Sequence, residues 1–174
     1  MRFEEIEKKL SPVHRILLTT DGSVTRVLEA LFGQVEVETE LQKVIKAGER
    51  VASLLEIHKG NKVNLRVVIL RAGEINTAYA VSLTPVERIE PEFRGYIMKE
   101  DIPIGRIMRK LKIESRRELR NYSVVKAGKK LSRIFRISPG EAVLRRNYNI
   151  IREGKIMMNI TEFFPCSLYR FNKK

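Results

Sequence analysis

Gln42-Lys-Val-Ile-Lys-Ala-Gly48 recurs eighty residues later, without a gap, as Tyr122-Ser-Val-Val-Lys-Ala-Gly128. The correspondence extends both ways. Downstream, Leu54, Leu55, Ile57, Gly60, Val63 and Arg66 fall on Ile134, Phe135, Ile137, Gly140, Val143 and Arg146, and Pro85 falls on Pro165. Upstream, Val27, Leu28 and Leu31 fall on Ile107, Met108 and Leu111. Identities number only 12 of 62 between 25–86 and 105–166, but the matched positions include the apolar and turn residues that a shared backbone needs. A repeat of this length reads as a duplicated structural unit.

Each unit carries the same order of elements. Val24, Val27, Leu28, Leu31 and Phe32 have helical spacing, Ser23 is placed as N-cap, and Gly33 as terminator. Val35, Val37, Thr39 and Leu41 alternate with Glu36, Glu38, Glu40 and Gln42, the period-two pattern of a half-exposed strand. A short helix over Glu49–Glu56, strand Val63–Leu70, a turn at Arg71–Glu74 and a return strand Thr77–Leu83 follow. The second unit repeats this with a helix carrying Ile104, Ile107, Met108 and Leu111. A strand near Ser123–Lys126, a helix at Lys129–Arg136, and strands Ala142–Ile151 and Ile156–Phe164 complete it. The expectation is a single α+β domain over 1–174: one antiparallel sheet of about six strands, helices packed on one face, and pseudo-repeats at about 22–86 and 102–166. Segment 86–101 is read as the link.

Composition narrows the function classes. The chain has 174 residues, 43% hydrophobic and 32% charged, enough to bury an ordinary core. No apolar run approaches a membrane span, the N-terminus is too charged for a signal sequence, and Cys166 alone permits no internal disulfide. A cytoplasmic protein without membrane contact is expected. The net charge of +13 lies wholly in 101–174, with 19 bases against 6 acids, densest over 106–136. That stretch suits nucleic acid or an acidic ligand, or is a solvated helix face. No aromatics alternate with the bases before Tyr122, so a stacking platform for single strands is missing and nucleic acid is not the expected partner.

Phosphate loops and nucleophile elbows are lacking, and His14 and His58 stand far apart, so no metal site is expected. Binding by charged groups remains. Arg66 sits in the mostly apolar strand Val63-Asn-Leu-Arg-Val-Val-Ile-Leu70, sharing a face with Asn64, Val68 and Leu70. A guanidinium there requires an anion, either a ligand or one of the chain's own carboxylates. Glu162 interrupts Ile156-Met-Met-Asn-Ile-Thr-Glu-Phe-Phe164. A desolvated carboxylate holds a proton more readily, which suits it to bind a hydroxyl or exchange a proton. The other reading pairs it with Arg66 or Arg146 for structure alone. Its repeat counterpart is Ser82, so symmetry is lost there while Arg66/Arg146 keeps it. The equivalent segments Asp21-Gly-Ser-Val-Thr25 and Asp101-Ile-Pro-Ile-Gly-Arg106 open two helices, where free N–H groups suit anions or are ordinary caps.

In these segments, with Leu17–Thr25, Leu65–Leu70 and Thr161-Glu-Phe-Phe-Pro-Cys-Ser-Leu-Tyr169, the chain resembles the chorismate pyruvate-lyase family. The resemblance implies a sheet with helical flaps over a buried small dianionic substrate, and a lyase that removes pyruvate from chorismate to leave 4-hydroxybenzoate without metal or organic cofactor. It implies catalytic roles for Arg66, holding a carboxylate, and Glu162, contacting the ring hydroxyl. It implies substrate contacts at Ser23, Val24, Ile104 and the adjoining Gly105. The family carries a further arginine where this chain has Tyr79-Ala-Val-Ser82; Arg71 and Arg146 are the stand-ins the sequence offers. The stretch Ile137-Ser-Pro-Gly-Glu-Ala-Val-Leu144 with Glu153-Gly-Lys155 also resembles the effector-binding domain of GntR-type regulators. About ten residues precede Ser11, too few for their DNA-binding winged helix, so the alternative reading is a non-catalytic, stand-alone binder of a small anion. Oligomeric state is open at this stage.

Overall fold

Val81 and Thr161 pair with each other at the centre of the sheet, and because they are themselves repeat equivalents, the approximate two-fold axis passes between them. The computed structural model describes residues 10–99 and 101–169. Six antiparallel strands form one sheet: β1 (Glu36–Lys46), β2 (Lys62–Ala72), β3 (Ile75–Pro85), β4 (Arg116–Lys126), β5 (Ala142–Arg152) and β6 (Lys155–Pro165), in the order β1-β2-β3-β6-β5-β4. Each hairpin belongs to one unit, and β3 against β6 joins them. Even the irregularities repeat. A bulge between Thr39 and Leu41 recurs between Leu119 and Asn121.

Six helices accompany the sheet among the described residues: α1 (Pro12–Thr19), α2 (Val24–Phe32), α3 (Glu49–Leu55), α4 (Pro91–Lys99), α5 (Ile104–Lys110) and α6 (Lys129–Phe135). Side-chain alternation along the strands assigns them to faces. Val68, Leu70, Ala80, Leu144 and Phe164 point to one side, where they pack against Leu17 and Leu18 of α1 and Val24 and Leu28 of α2. Tyr148, Ile150 and Ile160 meet α4 and α5 on that same side through Phe93, Ile97, Ile107 and Met108. Burying each such leucine, isoleucine or phenylalanine stabilises by roughly 1.5–3 kcal/mol, which holds the short helices down. The seven-residue α3 and α6 pack on the opposite face, since Val63, Val67, Ile69 and Val143 point that way towards Leu55, Ile134 and Phe135. The single helical layer expected from the pattern is therefore the larger of two.

Several boundaries differ from those read in the sequence. Strand β4 begins at Arg116 rather than near Ser123, because an edge strand with one solvated side tolerates Arg116-Arg-Glu-Leu-Arg120. The basic stretch 106–136 is thus no helix face; it is divided among α5, β4 and α6. The linking segment contains α4, and α1 precedes the repeat in the matching place. Ser11 caps α1 reciprocally with His14, whose Nε2 also bonds the Cys166 carbonyl at 3.0 Å, so this histidine is structural.

Candidate functional site

Beneath α2 and α5 the sheet face carries a cavity that is partly open to solvent. It lies across the pseudo-two-fold axis. Sixteen of its seventeen lining residues form eight pairs eighty residues apart, among them Ser23/Pro103, Val24/Ile104, Thr25/Gly105, Val37/Arg117, Val68/Tyr148 and Ser82/Glu162. Arg66 is the unpaired one. The six residues expected from the sequence, Arg66, Glu162, Ser23, Val24, Ile104 and Gly105, all line this one cavity.

Arg66 is 1% exposed, and β2 delivers it from the floor. Its Nη1 donates to the Ile102 carbonyl at 3.2 Å and its Nη2 to Thr39 Oγ1 at 3.4 Å. Burial pulls the guanidinium below its ordinary pKa, with the Asp101 charge opposing. A buried guanidinium on a cavity wall gains from an anionic group brought in by a ligand.

Its repeat equivalent has a different duty. Arg146, fully buried, donates from Nε to Glu162 Oε2 at 2.7 Å and from Nη1 to the carbonyls of Leu17 and Thr20 at 2.8 and 3.0 Å. Tyr148 donates its hydroxyl to the other carboxylate oxygen, Glu162 Oε1, at 3.2 Å. Burial disfavours the Arg146 cation, but Glu162 and the Tyr148 oxygen more than offset this and hold its pKa above the ordinary value. Burial, then the Glu162 carboxylate, push the Tyr148 phenol well up, so Tyr148 remains a donor at neutral pH. Glu162, 6% exposed, is thereby fixed between two donors, with lone-pair capacity left on each oxygen for a ligand hydroxyl.

The cavity roof is two helix starts. The N–H groups of Val24, Thr25, Ile104 and Gly105 have no partner within their own helices. Ser23 occupies the N-cap position of α2, but its hydroxyl makes no capping bond, contrary to the sequence expectation. The two starts abut: a Cβ on Gly105 would stand 2.9 Å from Ser23 Oγ.

Arg71, one of the suggested stand-ins, instead pairs with Glu38 at 2.9 Å and Glu74 at 3.7 Å, away from the cavity lining. Arg146 is committed to Glu162. Sequence reasoning missed Tyr148 and Arg117 as lining residues. Counting two positions on from Arg146 would have found the tyrosine. Arg117 was hidden by the β4 bulge, which reverses the inside–outside alternation before Asn121. Among the described residues no cluster of His, Cys, Asp or Glu could hold a metal ion. No helix of the described chain is long and apolar enough to cross a membrane.

Comparison with known proteins gives three findings. Residues 18–172 match the family described as "Chorismate pyruvate-lyase Rv2949c-like". The chain is 37% identical over 156 residues to "Putative lyase MJ0807" of Methanocaldococcus jannaschii, covering 86% of this chain and 76% of that protein. It is 25% identical over 170 residues to the chorismate pyruvate-lyase of Mycobacterium leprae, covering 96% and 80%. Among solved structures, the effector domain of PhnF from Mycobacterium smegmatis superposes with a TM-score of 0.73 at 13% identity, covering 86% of this chain and 92% of that one. A GntR-family regulator from Bacillus cereus gives 0.63 at 17% identity, covering 80% and 97%. At such identities these structures speak for the fold.

Proposed function

The chain belongs to the Rv2949c-like chorismate pyruvate-lyase family, and from that premise we propose that it removes pyruvate from chorismate, leaving 4-hydroxybenzoate. One observation carries this reading: a buried arginine and a buried glutamate from opposite halves of the duplication line one cavity.

In the reaction the ether C–O bond breaks, the ring carbon bearing the hydroxyl gives up its hydrogen, and the enolpyruvyl methylene becomes the methyl of pyruvate. The ring becomes aromatic, so the chemistry runs downhill and the protein's task is placement. Arg66 holds a ligand carboxylate. Glu162, fixed by Arg146 and Tyr148, accepts the ring hydroxyl and sets the ring's orientation. The walls Val68, Leu70, Ile150 and Ile160 are apolar, which lowers the local dielectric and strengthens each charge contact. Holding the side chain over the ring supplies the remaining acceleration by restricting the approach.

A second reading is favoured by the likeness to the effector domain of PhnF: a small-anion binder without turnover. Ultraviolet monitoring of chorismate with the pure protein separates them. The lyase reading expects an aromatic product, suppressed by at least about a hundredfold in Arg66→Ala and Glu162→Gln, from the loss of a charge-assisted contact of roughly 3 kcal/mol. A folded protein that yields no product yet gains thermal stability from chorismate is a binder.

A further inference from the structure

We propose that Arg117 is the second anion-binding group of the cavity, so that the site selects ligands carrying two negative charges. This rests on the lyase reading for the identity of the ligand, but the observations are independent of it.

Arg117 lines the cavity from β4, at the far side of the sheet from Arg66. Four strand steps separate β2 from β4, about 19 Å between backbones at ~4.8 Å per step. Both side chains line the same cavity, so a ligand held between them meets one guanidinium from each half of the chain. The arginines are also crossed between the halves. Arg66 of the first unit donates to the Ile102 carbonyl, in the loop that opens α5 of the second. Arg117 of the second donates from Nη1 to the Asp21 carbonyl at 3.2 Å, in the loop that opens α2 of the first. Each cation is thus held beside the start of a roof helix contributed by the other unit.

The Nε–H of Arg117 is buried with no hydrogen-bond partner among the described residues, a donor left for something absent from the protein itself. Its charge also reaches the acid end of the site, where it opposes the upward push on the Tyr148 phenol. Glu162, the carboxylate that lines the cavity, is already matched by Arg146. Arg66 and Arg117 both line the cavity, so two anionic groups on one ligand can each meet a guanidinium of their own, whereas a monoanion meets only one.

The experiment compares wild type, Arg117→Met and Arg117→Lys, each checked by melting temperature. The probes are chorismate turnover and equilibrium binding of 4-hydroxybenzoate, terephthalate and benzoate. The expected result for Arg117→Met is a chorismate KM raised about 10- to 100-fold and a preference for terephthalate over benzoate reduced by a similar factor, with 4-hydroxybenzoate binding changed less than about threefold. Arg117→Lys should recover part of both losses, since it restores charge without the planar fork. Turnover and dianion preference within about threefold of wild type in Arg117→Met overturn the proposal and leave the lyase reading standing. If wild type is inert towards chorismate but prefers terephthalate, and Arg117→Met loses that preference, the lyase reading falls and the role of Arg117 stands. A wild type that is inert and shows no dianion preference overturns both.

Discussion

Replacing Arg146 with methionine strikes the most committed polar contact in the protein. The guanidinium and the Glu162 carboxylate have side-chain exposures of 0% and 8% and meet at 2.7 Å. Methionine fills most of the volume but leaves the carboxylate with Tyr148 as its remaining side-chain donor, and it strips the Leu17 and Thr20 carbonyls of Nη1. Breaking one side of a buried pair costs about 3–5 kcal/mol, mainly because the remaining charge is stranded. For a chain of this size that corresponds to a fall in Tm of roughly 8–16 °C. If the stranded charge is the cause, removing it too should help. Arg146→Met with Glu162→Met should be more stable than Arg146→Met alone, with a coupling of at least about 2 kcal/mol in a double-mutant cycle. Urea titration gives each stability from the midpoint and slope. Additive losses, with the double variant the least stable of the three, would refute the reasoning and make Arg146 merely a packing residue with a bond to α1.

Further outcomes follow from the roof and from the buried phenols. Gly105→Ala places a methyl about 2.9 Å from Ser23 Oγ; the two helix starts should be forced apart, costing about 1–3 kcal/mol in stability or ligand binding, and Ser23→Ala in the same chain should relieve it. Tyr148 and Tyr169 both have phenols pushed up, chiefly by burial. Folding then favours the protonated form, so this contribution is complete below the unfolded phenol pKa of ~10 and is lost as pH rises above it, by about 1.4 kcal/mol per pH unit for each tyrosine. Denaturant midpoints measured at pH 9 and pH 11 should fall less steeply in Tyr148→Phe and Tyr169→Phe than in wild type; parallel slopes would remove these two phenols as the cause.

The hairpins were legible because both units alternate apolar and polar residues between short turns, and because each unit serves as a check on the other. Strand β4 was half hidden. Its first residues are charged, and an edge strand carries fewer of the apolar signals by which a buried strand is recognised. Helices α1 and α4 escaped because they are little more than two turns of mixed residues whose helicity depends on docking rather than propensity. In the site, Arg66 and Glu162 stood out as charges on apolar strands. Arg117 did not, since in Arg116-Arg117-Glu118 it is one base among many and only the bulge after Leu119 turns it inward. Which partner Glu162 takes was undecidable from spacing and is settled by register: Arg146 lies directly opposite on β5.

That register also explains how one duplicated arginine acquires two duties. Arg66 lies opposite Ser82 across β2 and β3, as Arg146 lies opposite Glu162 across β5 and β6. The backbones are equivalent, and the difference across the pair is serine against glutamate. Where glutamate stands, the arginine turns to it and leaves the cavity wall; where serine stands, the arginine lines the cavity. Ser82→Glu should therefore impose the second unit's arrangement on the first. The new carboxylate would take Arg66 into an internal pair, and binding of 4-hydroxybenzoate should weaken at least about a hundredfold, since a second negative charge now stands where the ligand's carboxylate is held. Stability should fall little, because the added charge enters beside a buried cation that can match it. Calorimetry of ligand binding alongside a melting curve tests both halves of this. A variant that unfolds would mean that the Arg66 side cannot host the pair, and one that binds the ligand as wild type does would mean that Arg66 is not where the anion sits.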